Sequence, residues 1–267
     1  MSNLIRLEYR NVTMRFSQDG GQSLTAVQDV SIAVRDGEVV SLIGPSGCGK
    51  STLLNIGSGL AAPSEGQCFV DGERVEGPNA HVAFMLQKDL LLPWRTVIEN
   101  VMFGVEIQCV PSAERKRRAQ ALLENLKLAD FSRHYPHQLS GGMRQRVALA
   151  RTLAVDPTVL LLDEPFSAVD AQTRITLQQE LAQTLKRAGK TALLITHDLL
   201  EAVTLSDRVL VMSRRPGKII DEIAIDIPGR DDPLTRRHDA RIGGYVNRLM
   251  DRLGIGSLGA PDERVPA

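Results

Sequence analysis

Short apolar runs separated by turns open the chain. Leu4–Tyr9, Val30–Val34, Val39–Ile43 and Cys68–Val70 are β-branched or alternating in character, and pairs such as Asp36-Gly37 and Asp71-Gly72 bound them. This pattern predicts a β-rich first third. Near residue 112 the period changes. Ala113–Leu126 is rich in Ala, Arg, Glu and Leu, with Leu122, Leu123 and Leu126 on one face. A second helical segment follows Gly142, where Met143, Val147, Ala150 and Ala154 keep helical spacing. From Thr158 strand and helix patterns alternate: Val159–Leu162, Thr173–Ala188, Ala192–Thr196, Leu199–Ser206 and Arg208–Met212. That alternation predicts a parallel sheet covered by helices. The expected class is therefore α/β, with an antiparallel β subdomain at the N-terminus and a helical insert over residues 88–156. From Pro228 the signal weakens. Ile242, Tyr245, Leu249 and Leu253 share one face of a last helix, and Gly254–Ala267 is expected to fray.

Composition narrows the class. The 267 residues carry 32 basic and 32 acidic side chains, so no global field draws the chain to nucleic acid or to an anionic membrane. Cys48, Cys68 and Cys109 are scattered and odd in number, which fits a reducing compartment better than a disulfide framework. The first residues have no signal-peptide core, and no apolar run approaches the ~18 residues of a membrane span. A soluble, cytoplasmic protein is expected.

The candidate chemistry begins at Gly44-Pro45-Ser46-Gly47-Cys48-Gly49-Lys50-Ser51-Thr52. The run follows a strand pattern and enters a helix pattern. Glycines there let several N–H groups converge on one phosphate chain, Lys50 adds charge at the β/γ-phosphates, and Ser51 is a magnesium ligand. Val159–Leu162 ends in Asp163 and Glu164, acids at the carboxyl end of a buried strand, where α/β sheets bind ligands. Asp163 is expected to hold magnesium and Glu164 to polarise a water. Leu139-Ser140-Gly141-Gly142-Met143 offers a hydroxyl and free N–H groups at a helix start, a second anion site. One nucleotide does not need two such sites from one subunit, so the pair points to a dimer.

With these residues in order, the chain resembles the ATP-binding cassette family over residues 4–225, and the resemblance implies a P-loop NTPase core. Phe16 is similar to the aromatic that stacks on adenine, and Gly44–Thr52 to the Walker A loop. Gln87 resembles the Q-loop glutamine, Leu139–Met143 the family signature, and Leu160–Glu164 Walker B with its catalytic glutamate. Ser167-Ala168-Val169-Asp170 resembles the D-loop, and His197 the switch histidine. Met143 stands where glutamine is commoner and Phe16 where tyrosine is commoner; neither change removes a reacting group. The resemblance implies ATP and Mg2+ as ligands, with Ser51, Gln87 and Asp163 near the metal. It also implies two copies packed head to tail, each ATP lying between one copy's Walker A and the other's Ser140, Gly141 and Gly142. The ATPase domain would span residues 1–228, and a helical tail 229–267.

Within that family the stretch Leu91-Leu92-Pro93-Trp94-Arg95-Thr96-Val97-Ile98-Glu99-Asn100-Val101 resembles the nitrate/sulfonate/taurine importer branch, as does Ser213–Ile219. Importer membership implies a two-copy permease, an extracytoplasmic solute-binding protein, no nucleic acid, and a place on the cytoplasmic side of the inner membrane. The other reading is a soluble ATPase of the family acting on nucleic acid or on protein assembly. No sustained heptads separate Lys50 from Asp163, which counts against a repair ATPase. Trp94 belongs either to a permease groove or to the core. His134 and His137 flank a proline without further ligands, so no metal site is expected there. Arg115–Arg118 reads as a solvated helix face.

Overall fold

The computed structural model describes residues 4–17, 23–167 and 169–255. Two long strands lead, β1 (Ile5–Ser17) and β2 (Ser23–Arg35), followed by β3 (Val39–Ile43) and helix α1 (Lys50–Gly57). Strands β4 (Glu65–Val70), β5 (Glu73–Arg74) and β6 (Val82–Met85) come next. One sheet has the order β2-β1-β4-β5 and is antiparallel throughout.

Both leading strands run well past their predicted ends. Asn11 and Asp29 interrupt the apolar alternation, but each adopts a left-handed backbone (φ 50° and 51°) at a register shift. Asn11 Nδ2 donates to Asp29 Oδ1 at 2.9 Å. Two polar residues that read as strand ends instead form a bulge, and pairing resumes beyond it.

Helices alone fill the chain between β6 and the next strand: α2 (Val97–Ile107), α3 (Ser112–Asn125) and α4 (Gly141–Ala154), with short 3-10 turns at Ala129–Phe131 and Pro136–Gln138. Val97, Val101 and Val105 of α2 join Leu123 of α3 and Val147 of α4 in one core. Then the predicted alternation unfolds as β7 (Val159–Asp163), α5 (Ala171–Arg187), β8 (Thr191–Ile195), α6 (Leu199–Leu205) and β9 (Arg208–Met212). An unpredicted strand, β10 (Ile219–Ala224), follows, then α7 (Pro233–Arg236) and α8 (Ile242–Leu253).

The second sheet has the order β10-β9-β3-β8-β7-β6, parallel except for β10 against β9. Its central strands read as continuous apolar runs because both faces are covered. Leu160 and Leu162 point into the core shared with α4 and α5, whereas Val159 and Leu161 pack with α1 and the antiparallel sheet. The chain is thus an α/β P-loop fold with an N-terminal antiparallel sheet. The tail packs on it through Arg236, whose buried guanidinium donates to Thr204 O (3.1 Å) and Ser206 O (2.8 Å). The fraying expected after Gly254 falls on residues outside the described ones from 256 onward. Among the described residues no helix is long and apolar enough to cross a membrane.

Candidate nucleotide site

The fully buried strand β3 delivers the glycine-rich loop to the carboxyl edge of the parallel sheet. Gly49 caps α1 with φ 103°, and a Cβ there would stand 2.4 Å from Val27 Cγ1. Only glycine meets both demands. Lys50, 9% exposed, curls back so that Nζ donates to Gly44 O (2.8 Å) and Pro45 O (3.0 Å). Cys48 is buried under the loop, with its Sγ 3.8 Å from that ammonium. The loop borders a cavity of about 360 Å³, walled by Ser46, Gly47, Gly49, Lys50, Ser51 and Thr52. Phe16 and Leu24 close one side and Glu164 another.

Asp163 ends β7. Burial pushes its carboxyl above the usual range, while a hydrogen bond with Ser51 and the charge of Lys50 pull the other way. Among the described residues no cluster of three or more His, Cys, Asp or Glu forms a metal cage. A half-buried carboxylate bonded to a hydroxyl is, however, the sparse oxygen set that Mg2+ uses when phosphates supply further ligands.

Glu164 sits in a turn with φ 46°, a left-handed conformation that is unfavourable for a side chain. The turn is locked by Glu164 N–H donating to Ile195 O (2.9 Å) and by Ser167 N–H and Oγ donating to Glu164 O (3.1 and 3.0 Å). Two predicted partners then converge on one carboxylate oxygen. Gln87 Nε2 donates to Glu164 Oε2 at 3.1 Å, and His197 Nδ1 stands 3.3 Å from it. Gln87 follows β6, Glu164 follows β7 and His197 follows β8, so the parallel order of the sheet assembles the three.

Beneath the histidine lies Glu201, which sequence reasoning did not single out. It is buried at 3% exposure and accepts from Gln178 Nε2 at 2.9 Å. Burial pushes its carboxyl up to about 7, opposed by hydrogen bonds from Thr196 and Gln178 and reinforced by Asp198.

Ser140 caps α4, its Oγ accepting from Met143 N–H at 3.3 Å, and Leu139 is buried. None of Leu139–Met143 lines the cavity around Lys50; Gly141 borders a separate groove with Gln87, Leu90 and Arg144. Of the predicted D-loop, Asp170 caps α5 by accepting from Gln172 and Thr173 N–H, and Val169 is buried. Ala168 lies outside the described residues. Arg215, noted in the sequence only within a branch-like segment, lines the cavity and donates to Gly47 O. Its signal in the sequence was faint, a basic residue far down the chain from the loop it touches.

The "ABC transporter" family model matches residues 27–167. An uncharacterized ABC transporter ATP-binding protein of Methanocaldococcus jannaschii is 45% identical over 223 residues, 84% of this chain and 83% of that one. The taurine import ATP-binding protein TauB of Jannaschia sp. is 46% identical over 216 residues, 81% of each chain. Among solved structures, an ATP-binding cassette in a dimeric post-hydrolysis state bound to ADP and Pi superposes with a TM-score of 0.73 at 32% identity, covering 82% of this chain and 98% of that one. At this identity and coverage the chain belongs to the ABC transporter family, and it is an ATPase.

Proposed function

We propose that the chain is the ATP-hydrolysing subunit of an importer that takes up a small oxyanion or organosulfur solute through a separate permease. The observation that carries the hydrolytic part is the convergence of Gln87 and His197 on one oxygen of Glu164 at the mouth of the phosphate-loop cavity. In this reading Phe16 stacks on the base, and the loop from Gly44 to Thr52 wraps the phosphates, with Lys50 contributing its charge. Glu164 draws a proton from the attacking water, Gln87 senses the γ-phosphate and His197 hydrogen-bonds it. Ser51, Asp163 and Gln87 would hold Mg2+, which would supply positive charge at the phosphates.

Ser140, Gly141 and Gly142 would act on the ATP of a second copy. That none of them lines the cavity of their own subunit supports this, as does the dimeric state of the similar cassette. The ATPase unit would comprise residues 1–228 with its helical insert at 88–156, and the tail 229–267.

The importer part rests on the likeness to TauB and on one exposed loop. Trp94 is 71% exposed and Leu90 54% exposed beside α2. The core reading of Trp94 fails on that exposure, which suits a permease groove. Such a subunit sits on the cytoplasmic side of the membrane, with two permease copies and an extracytoplasmic solute-binding protein completing the complex. In the free subunit Trp94 emission should be that of an exposed, acrylamide-quenchable indole, shifting blue when the permease docks. No shift on docking, together with hydrolysis stimulated by DNA, would contradict the importer reading.

A further inference from the structure

The segment between β9 and β10 is fastened against the phosphate loop. Ser213 N–H donates to Lys218 O (2.9 Å), Ser213 Oγ accepts from Lys218 N–H (3.0 Å), and the same hydroxyl donates toward Pro216 O (3.0 Å). Gly217 N–H donates to Ala26 O and Gly217 O accepts from Gln28 N–H, both at 2.9 Å, which stitches the turn to β2. A Cβ on Gly217 would stand 2.0 Å from Cys48 O, so glycine is what lets this backbone press on the loop.

This scaffold presents Arg215. Its Nε and Nη2 donate to Gly47 O at 3.1 and 2.8 Å, and its side chain lines the cavity that Lys50 and Ser51 also line. Among the described residues Arg215 makes no ion pair; the Gly47 carbonyl is its hydrogen-bond partner. A neutral carbonyl uses only part of a guanidinium fork, and the rest of that fork suits phosphate oxygens. A cation held on the wall of a phosphate cavity by the loop carbonyl, without a carboxylate to neutralise it, is arranged for an anion.

We infer that Arg215 is a second phosphate-binding cation of this site, reaching nucleotide di- and triphosphates from the outer side of the loop while Lys50 acts from within. The inference rests on the reading that this cavity takes MgATP. Arg215 is tied to the loop and not to Glu164, so it grips the ground state and the transition state alike. Its contribution therefore lies in binding, in KM more than in kcat.

Calorimetric titration of Arg215→Met and Arg215→Lys with MgATP, MgADP and tripolyphosphate, at low and high salt, tests this. Arg215→Met should bind all three about tenfold more weakly, with a shallower salt dependence. Arg215→Lys should recover part of the loss. KM for ATP should rise by a similar factor with kcat within about twofold, and the nucleotide-free melting temperature should not move. Unchanged MgATP affinity in Arg215→Met, while the unmutated protein binds normally, would overturn the inference alone. So would a loss matched by a lower nucleotide-free melting temperature with tripolyphosphate binding intact, since that is loop support. An unmutated protein that binds no MgATP would remove the parent reading as well.

Discussion

Asn100 grips the backbone of Leu92 from both sides: its Oδ1 accepts from Leu92 N–H at 2.8 Å and its Nδ2 donates to Leu92 O at 3.1 Å. The same Nδ2 lies 3.0 Å from both Arg95 O and Thr96 O. Asn100 is fully buried, so its own amide has no water to turn to. Thr96 and Glu99 add a capping box at the start of α2, with Thr96 N–H donating to Glu99 Oε2 at 2.7 Å. The segment Thr96–Asn100, legible only as a branch likeness, is a local clamp that holds Trp94 out in solvent.

Asn100→Ala should therefore destabilise the fold by about 2 kcal/mol, since it strips Leu92 N–H and Arg95 O of their partner, while Leu92 O and Thr96 O keep the N–H groups of Arg95 and Asn100. Denaturant unfolding measures this. A loss within the range of an ordinary surface substitution would mean that the clamp contributes little.

Gly142 is closed in by a neighbouring helix of its own subunit. A Cβ there would lie 2.3 Å from Thr173 Cγ2, so the missing side chain points at α5 within the same subunit. Gly142→Ala should cost about 1–3 kcal/mol by overpacking. Thr173→Ser deletes the offending methyl group and keeps the hydroxyl, so the double variant should regain both stability and turnover. A double variant as unstable as Gly142→Ala alone would contradict this geometry.

Glu201 should leave a signature in the pH dependence of stability. Its folded carboxyl titrates near 7, above the ordinary 4.5. The folded state then binds more protons than the unfolded one between those values, so stability falls as pH rises through that window. The stabilising contribution of the neutral form is complete below about pH 4.5 and is lost by about pH 7. Glu201→Gln keeps an acceptor for Gln178 and removes the titration. Its melting temperature should exceed that of the wild type at pH 8, with a flatter profile from pH 5 upward. Equal slopes in the two proteins would show that another group carries the dependence.

What the sequence disclosed and what it hid follow one physical rule. The buried strands β3, β7 and β8 and the phosphate loop were readable because their constraints are local: continuous apolar runs, glycines at a turn, acids at a strand end. Asp163, Glu164 and His197 sit on or just past those strand ends, and Lys50 closes the phosphate loop, so they were legible with them. β6 was missed because four apolar residues are too few to carry a period, and β10 because its six mix polarity; pairing with β7 and β9 makes them strands. Asn11 and Asp29 misled because their bulge depends on a bond across two strands. Glu201 and Arg215 were hidden for the same reason, since their surroundings come from Gln178 and Gly47, residues remote in the chain.

Glu164 is the carboxylate on which the proposed hydrolysis turns, and one variant tests it. Glu164→Gln keeps size and hydrogen bonding to Gln87 but loses the charge proposed to polarise water. Turnover should fall by about two orders of magnitude or more. MgATP should still bind, and removing a negative charge beside the triphosphate should favour an ATP-dependent dimer on size-exclusion chromatography. A Glu164→Gln protein that hydrolyses ATP at the native rate would contradict the assignment of this carboxylate as the catalytic base.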